Sequence, residues 1–303
     1  MIRSAAAFCC LVLPLLAAEP APLSLIETKD GARLEVRGVE KEGDTLNFQI
    51  AGQKMTLPMS SVSRFVSLDQ APDKFRLYHD ADPKAETRPS KDLMDLHGAA
   101  VVTVKNSGGT GSGFFIHEDG YLLTNAHVIE GEHPESLTVC QFVKTADGIQ
   151  EKAFAKVRIV AVAGRYDLAL LKVEDGGKFP FVDIADSTVL KQGDAVFTIG
   201  SPLGLTRSIS EGVVAQPQRY VEQGNNIYGF YIQMTAAISP GNSGGPLFNM
   251  KGQILGMNSM GASQGQNIGL AIPSDWIKTF LRNREAFAFE PSNPANGVRY
   301  LKP

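Results

Sequence analysis

Residues 239–247 read S-P-G-N-S-G-G-P-L, and the role of Ser243 in this stretch decides between two kinds of fold. Three glycines and two prolines within nine residues indicate a backbone with unusual dihedral angles. The centre of the stretch, G-N-S-G-G, fits the G-x-S-x-G turn that presents the nucleophilic serine of α/β-hydrolases. It fits equally well a serine presented by a turn between β-strands, or a flexible turn without chemistry.

The order of residues along the chain separates these alternatives. In α/β-hydrolases the catalytic histidine follows the serine, yet no histidine occurs between Ser243 and Pro303. If Ser243 is a nucleophile, its general base therefore comes from upstream, where all five histidines lie. They are His79, His97, His117, His127 and His133.

His127 is the best candidate for that base. It stands in T-N-A-H-V-I, directly after the strand-like run Y-L-L-T, whereas the other four lie in a charged segment, at the entry to the β-rich region or in hydrophilic turns. An ordinary packed histidine is the alternative. The sequence contains no H-E-x-x-H pattern and no pair of histidines on one helical face, so we expect neither a metal site nor a cofactor.

Asp167 is the matching candidate carboxylate. It opens the apolar run L-A-L-L-K-V at 168–173, where a charge is costly to bury without a partner. A catalytic histidine needs such a carboxylate to fix its tautomer and to stabilise the imidazolium ion. The alternative is an aspartate that only caps the turn before the strand.

Short runs with strand-like alternation, separated by glycine-rich turns, dominate the chain from residue 101 onward. They cover 101–104, 113–116, 121–124, 137–143, 153–161, 168–173, 195–199, 212–215, 229–233, 246–248, 253–257 and 267–272. This pattern favours an all-β fold, either a sandwich or a pair of barrels. One helix is predicted near the C-terminus, with Ser274 as its N-cap and Trp276, Ile277, Phe280 and Leu281 on one apolar face.

The first 18 residues are typical of a signal peptide. Arg3 is their only charged residue, and an apolar run over 5–16 is followed by Ala17 and Ala18. A membrane anchor, the alternative, needs about 18 or more apolar residues. We therefore expect export with cleavage near Ala17 or Ala18, a periplasmic or secreted protein, and no stable membrane insertion after cleavage.

Strand-like segments within 32–57 predict a small β-module over residues 19–68. Its D-G turn, its G-D-T-L and its final K-M-T-L-P-M-S-S-V loosely resemble the SLA-type homology domain. Residues 69–92 contain three prolines and many charges, which predict a linker.

The formal net charge of -3, from 29 basic and 32 acidic residues, favours neither nucleic acid nor an anionic membrane as a partner.

The motifs T-N-A-H-V, D-L-A-L-L-K-V and G-N-S-G-G-P-L, in this order, resemble those of the HtrA/Deg-type serine proteases of the trypsin-like fold. The stretches G-S-G-F-F-I-H-E-D-G-Y-L-L, I-G-S-P-L-G-L and Q-M-T-A-A-I-S-P extend the resemblance over residues 93–283. The resemblance implies two six-stranded antiparallel β-barrels and a C-terminal helix over 93–285, followed by a tail at 286–303.

The same resemblance implies roles for individual residues. Ser243 would be the nucleophile, His127 the general base and then acid, and Asp167 the residue that orients His127. The backbone amides of Gly241 and Ser243 would form the oxyanion hole, where preorganised donors stabilise the developing negative charge.

Substrate preference and regulation follow from neighbouring segments. The residue about six positions before the nucleophile lies at the base of the P1 pocket in trypsin-like folds, which here is Ala237, next to Ile238. No acidic residue occurs over 233–248, so we expect an apolar pocket that prefers small or medium aliphatic P1 side chains.

The polar, glycine-rich stretches 216–228 and 258–266 are predicted to be loops that become ordered on substrate binding.

The function implied by the resemblance is that of an exported serine endopeptidase that acts on unfolded or damaged proteins. A non-catalytic chaperone or binding module on the same fold is the alternative. HtrA-type proteases usually carry PDZ domains after the catalytic domain, but only residues 284–303 follow the predicted helix, so we expect none. A homo-oligomer and a monomer both remain open at this point.

Overall fold

The structure of the protein is a computed structural model. The structure describes residues 23–30, 33–50, 53–67, 76–175, 177–200, 208–223, 227–261 and 267–290. The chain divides into two compact units, Met1–Phe75 and Arg76–Pro303. The predicted signal peptide and residues 291–303 of the tail predicted over 286–303 lie outside the described residues.

The first unit contains two three-stranded antiparallel sheets, ordered β2-β1-β6 and β3-β4-β5. The strands are β1 (Leu23–Thr28), β2 (Arg33–Arg37), β3 (Glu40–Glu42), β4 (Thr45–Ile50), β5 (Gln53–Pro58) and β6 (Val62–Ser67). The period-2 pattern of β4 buries Leu46 and Phe48 on one face, where they pack with Ile26, Val36 and Val62. Strands β1 and β6, which flank the predicted meander, therefore supply part of its core.

The first half of the second unit is a seven-stranded antiparallel sheet, ordered β11-β10-β7-β8-β9-β13-β12. The strands are β7 (Val101–Lys105), β8 (Thr110–His117), β9 (Tyr121–Thr124), β10 (Thr138–Thr145), β11 (Gly148–Phe154), β12 (Val157–Ala163) and β13 (Leu168–Val173). One strand was predicted over 153–161, but the chain leaves β11 after Phe154 and enters β12 at Val157. This half therefore has seven strands where six were expected.

The second half is a closed six-stranded barrel, ordered β14-β15-β16-β19-β18-β17. Its strands are β14 (Ala195–Gly200), β15 (Ser208–Gln223), β16 (Ile227–Met234), β17 (Pro246–Asn249), β18 (Ile254–Gly261) and β19 (Gly269–Pro273). The prediction of an all-β domain that contains a six-stranded antiparallel barrel is confirmed. Parts of the two predicted loops are strand, because residues 216–223 continue β15 and 258–261 complete β18; residues 224–226 and 262–266 lie outside the described residues.

Successive side chains of β13 face two different cores. Leu168 and Leu170 pack in a cluster shared with the barrel, whereas Ala169 and Leu171 pack in a cluster confined to the first half. A strand that is buried on both faces has a nearly continuous apolar sequence, which is what L-A-L-L-K-V contains. The strand that Asp167 precedes is therefore held rigidly from both sides.

The described residues of the second unit contain two α-helices, α1 (Ser90–His97) and α2 (Ser274–Arg282). The predicted helix begins at Ser274 and buries Ile277, Phe280 and Leu281, as expected. Ser274 is not its N-cap, however, because Pro273 holds that position and the Ser274 hydroxyl donates to the carbonyl oxygen of Ala185 at 2.8 Å. Among the described residues, no helix is long and apolar enough to cross a lipid bilayer.

The second half of the segment predicted as a linker is part of the second unit. Leu77 and Tyr78 are buried, and the chain forms backbone hydrogen bonds with Ile184 through His79 and Ala81. Residue 90 then begins α1, a helix that the sequence pattern did not predict. Sequence periodicity misses such a segment because backbone bonds, rather than a repeating apolar pattern, hold it in place.

Candidate active site

The sheet of the first half places His127 beside Asp167, although 40 residues separate them. His127 lies in the 3-10 turn Ala126–Val128, which follows β9, and Asp167 ends the 3-10 turn that precedes β13. Strands β9 and β13 are antiparallel neighbours, with Thr124 opposite Ala169. The end of one strand therefore meets the start of the other.

The contact between the two side chains is close. The Nδ1 atom of His127 lies 2.9 Å from Oδ1 and 3.0 Å from Oδ2 of Asp167, and the backbone N–H of His127 also donates to Oδ1 at 3.1 Å. Asp167 is buried, whereas His127 is exposed. A carboxylate can only accept a hydrogen bond, so Nδ1 carries the proton and donates, and the Nε2 atom of the neutral ring is left as an acceptor.

The backbone of Asp167 adopts an unusual conformation. Its φ of 55° lies in the left-handed region, where non-glycine residues other than Asn and Asp are rare. The side-chain amide of Asn125 donates to the carbonyl oxygen of Asp167 at 3.0 Å and helps to hold this turn. The aspartate is thus fixed by its backbone as well as by its carboxylate.

The electrostatic environment favours a protonated His127. Its hydrogen bond with Asp167 raises the pKa of His127 above the ordinary value of 6.5, against the opposing effect of partial desolvation of the half-exposed ring, and the charges of Asp167 and Glu130 add to the increase. A histidine with a raised pKa stabilises the imidazolium ion that forms when it accepts a proton. This is the property required of a general base that later acts as an acid.

Ser259 is a member of the site that the sequence did not predict. Its hydroxyl donates to Asp167 Oδ2 at 2.8 Å, while its carbonyl oxygen accepts from the hydroxyl of Ser243 at 3.1 Å. Ser259 lies near the end of β18, within the stretch predicted to be a loop. Its role depends on a contact across 92 residues of sequence, for which no local motif exists.

The loop that carries Ser243 consists of two consecutive turns that share Asn242. In the first, the amide of Asn242 donates to Ser239 O at 3.0 Å, and in the second the amide of Gly245 donates to Asn242 O at 3.0 Å. Gly241, with φ 98°, and Gly244, with φ 83°, occupy the third position of each turn. This is the pattern of type II turns, which favour glycine at that position.

The three residues predicted to be catalytic are not all in direct contact with one another. His127 and Asp167 are in contact, and Ser243 is connected to them through Ser259. Among the described hydrogen bonds, none joins Ser243 to His127, so the hydroxyl would have to rotate away from Ser259 to reach Nε2. In the same set of bonds, the amides of Gly241 and Ser243 serve as donors to no other group, which leaves both available to a ligand.

The two residues predicted to form the P1 pocket differ in exposure. Ala237 is exposed, whereas Ile238 is half-buried between the end of β18 and the start of β19. A Cβ atom on Gly269 would lie 2.8 Å from Ile238 Cγ1, and one on Gly261 would lie 3.8 Å from Ile238 Cβ. The isoleucine side chain therefore fills space that two glycines leave open.

Comparison with known proteins is consistent with this geometry. Residues 111–257 match the family described as "Trypsin-like peptidase domain". A "Probable periplasmic serine endoprotease DegP-like" of Rhizobium meliloti (strain 1021) is 40% identical over 171 residues, which are 55% of this chain and 32% of that protein. "Serine protease HTRA1" of Xenopus tropicalis is 38% identical over 178 residues, or 57% of this chain and 35% of that protein.

A solved structure shows the same relationship. The "HtrA-type protease AlgW with tripeptide" matches with a TM-score of 0.55 and 28% identity, over 65% of this chain and 64% of that one. The chain spans about a third of the length of the curated relatives above, at 32% and 35%. Residues 111–257 are thus similar to trypsin-like peptidase domains, and the chain is similar to HtrA-type proteases over about two thirds of its length.

Proposed function

We propose that the chain is a serine endopeptidase that hydrolyses peptide bonds of unfolded or damaged proteins through Ser243, His127 and Asp167. The observation that carries the proposal is the double contact of His127 Nδ1 with the buried carboxylate of Asp167, at 2.9 and 3.0 Å. A pair fixed in this way has one free ring nitrogen and a raised histidine pKa. Both properties suit proton transfer from a serine hydroxyl.

In the proposed reaction, Ser243 Oγ forms a bond to the carbonyl carbon of the substrate while His127 Nε2 takes the hydroxyl proton. The amides of Gly241 and Ser243 donate to the resulting oxyanion. His127 then passes the proton to the amine nitrogen as the C–N bond breaks, which leaves an acyl group on Ser243. A water molecule, deprotonated by the same histidine, forms a bond to the acyl carbon. The bond between that carbon and Ser243 Oγ then breaks, His127 returns the proton to Oγ, and the carboxylic acid product is released.

The proposal is tested with the wild-type protein. A labelled fluorophosphonate is expected to react covalently with it, and casein is expected to be cleaved at internal peptide bonds. A non-catalytic chaperone or binding module is the second candidate, and the observation that favours it is the hydrogen bond from Ser243 to Ser259, which turns the hydroxyl away from His127. A protein that suppresses aggregation of unfolded casein but neither labels nor cleaves would support the second candidate.

The space that Ile238 occupies predicts which P1 side chains of a substrate are preferred. Since Ile238 fills the space beside Gly261 and Gly269, we expect wild-type cleavage after Val or Ala, and we expect Ile238→Ala to favour larger P1 residues such as Leu or Met. The ratio of kcat/KM for Leu over Val at P1 is expected to rise by about tenfold or more, the usual effect of a few methylene groups. Mass spectrometry of products from an unfolded protein gives the preference directly.

The matched control for this variant is Ile149→Ala, which removes the same atoms from an exposed site on β11. An unchanged preference in the Ile238 variant, or cleavage mainly after Lys or Arg in the wild type, would contradict the assignment of the pocket.

We also propose that the protein is exported to the periplasm, on the basis of the predicted signal peptide and of DegP-like relatives named as periplasmic. The purified protein is expected to lack residues 1–17 or 1–18 by intact mass. Leu11→Arg, which places a charge in the apolar run, is expected to keep the full-length chain in the cytoplasm. Full-length wild-type protein in the periplasmic fraction would count against cleavage.

A further inference from the structure

Ser112 connects the first half of the second unit to the loop that carries Ser243. It lies on β8, is completely buried, and stands in the G-S-G of residues 111–113. Its hydroxyl donates to the carbonyl oxygen of Gly241 at 2.6 Å, and its backbone amide donates to the carbonyl oxygen of Ser243 at 2.8 Å. One residue thus holds one carbonyl group in each of the two consecutive turns.

These two carbonyl groups flank a peptide group that matters for the reaction. The carbonyl of Gly241 belongs to the peptide joining residues 241 and 242, and that of Ser243 to the peptide joining residues 243 and 244. Between them lies the peptide whose N–H is the amide of Ser243. When the orientations of both flanking peptides are fixed, the peptide between them has little freedom to rotate, and the direction of the Ser243 amide is restricted as well.

The surroundings of Ser112 keep it in place. Its own carbonyl oxygen accepts from the hydroxyl of Thr124 at 2.7 Å, on the neighbouring strand β9. Gly244 approaches so closely that a Cβ atom there would lie 2.2 Å from Ser112 O and 2.5 Å from Thr124 Oγ1. The contact between β8 and the loop therefore leaves no room for either side to shift.

We propose that Ser112 is a positioning residue, whose hydroxyl helps to orient the Ser243 amide of the oxyanion hole. The inference rests on the proposed function and adds to it a residue on the half of the domain that carries His127. The backbone amide of Ser112 would remain after any substitution, but only a side chain with a donor reaches Gly241. Without that donor, the carbonyl of Gly241 loses its described hydrogen bond to β8, and only backbone bonds hold the first turn.

The test compares Ser112→Ala with Ser112→Cys and with Ser274→Ala, using fluorescent casein. Ser274 is the matched control because it is also completely buried and donates to a backbone carbonyl, that of Ala185. We expect Ser112→Ala to lower kcat by about 10- to 100-fold, the effect of a small misplacement of reacting groups, with KM and the pH dependence of kcat unchanged. The kcat of Ser112→Cys, which retains a weak donor, is expected to lie between that of Ser112→Ala and that of the wild type.

Measurements of thermal unfolding distinguish a positioning role of Ser112 in catalysis from a role in the stability of the fold. Ser112→Ala and Ser274→Ala are expected to lower the melting temperature by similar amounts, while only the former lowers kcat. Wild-type kcat in Ser112→Ala, or an equal loss of kcat in Ser274→Ala, would overturn the inference and leave the proposed function intact. If Ser112→Ala fails to fold, full wild-type kcat in a folded Ser112→Cys variant overturns it instead. A wild-type protein that is inert toward fluorophosphonate and casein overturns both proposals.

Discussion

Ser243→Ala is expected to lower kcat for peptide-bond hydrolysis by about a millionfold, the usual result of removing the nucleophile of a catalytic triad. The substitution deletes only Oγ, whose described hydrogen bond is to Ser259 O at 3.1 Å. Both turns of the loop are held by backbone bonds that alanine retains. The folded structure should therefore survive while covalent chemistry stops.

The measurement combines labelling by a fluorophosphonate, cleavage of casein and thermal unfolding. Ser274→Ala serves as the control, since it removes a buried hydroxyl from the start of α2 and is expected to retain labelling and cleavage. Casein cleavage that survives in Ser243→Ala at the wild-type rate would show that another residue, or a contaminant, performs the reaction.

Asp167→Asn is expected to have the second-largest effect, a loss of about ten-thousandfold in kcat. An asparagine amide in place of Oδ1 or Oδ2 would donate to His127 Nδ1, which now lies within 3.0 Å of both carboxylate oxygens. The ring proton would then move to Nε2, and Nε2 could no longer accept the proton of Ser243. The shape of the residue is conserved, so the loss should appear in activity more than in stability.

The Asp167→Asn variant also tests how kcat/KM depends on pH. Activity requires neutral His127, so kcat/KM of the wild type should rise with pH through a pKa above 6.5. Removal of the negative charge, and of the hydrogen bond that raises this pKa, should move the rise to lower pH. The check is a profile of kcat/KM against pH for both proteins.

Asp186→Asn is the matched control for that experiment. Asp186 caps another 3-10 turn, where its carboxylate accepts from the amide of Thr188 at 2.8 Å. It should leave both the rate and the profile unchanged. An Asp167→Asn protein whose activity rises at the same pH as that of the wild type would contradict the role assigned to Asp167.

The sequence was sufficient to predict the residues that carry local signals. His127 follows a strand, Asp167 precedes an apolar one, and the glycines around Ser243 indicate turns, so each could be found from its immediate neighbours. The closed barrel was implied only by the family resemblance, and α2 begins one residue earlier than an N-cap at Ser274 would place it. The apolar face of α2 and the short strands, in contrast, were predicted from local signals. Their patterns repeat with the period of the element that contains them.

Contacts between distant segments could not be predicted in this way. Ser259 and Ser112 act through hydrogen bonds to residues 92 and 129 positions away, and a serine in an apolar strand has no distinctive pattern. The packed segment that contains Leu77 and Tyr78 looked like a linker because its prolines and charges are typical of one. The extra strand went unnoticed because the break between Phe154 and Val157 is only two residues long.

The division of the site between two halves has a consequence for how the protein would lose activity. The His127–Asp167 pair belongs to one sheet, and Ser243 belongs to the barrel, so neither half carries complete chemistry. The rate of catalysis then depends on how the two halves pack against each other. A displacement of about 1 Å between them would be enough to lower kcat about a hundredfold. Under mild denaturation, catalysis should therefore disappear before either β-structure melts, as the first sign that the two halves have begun to separate.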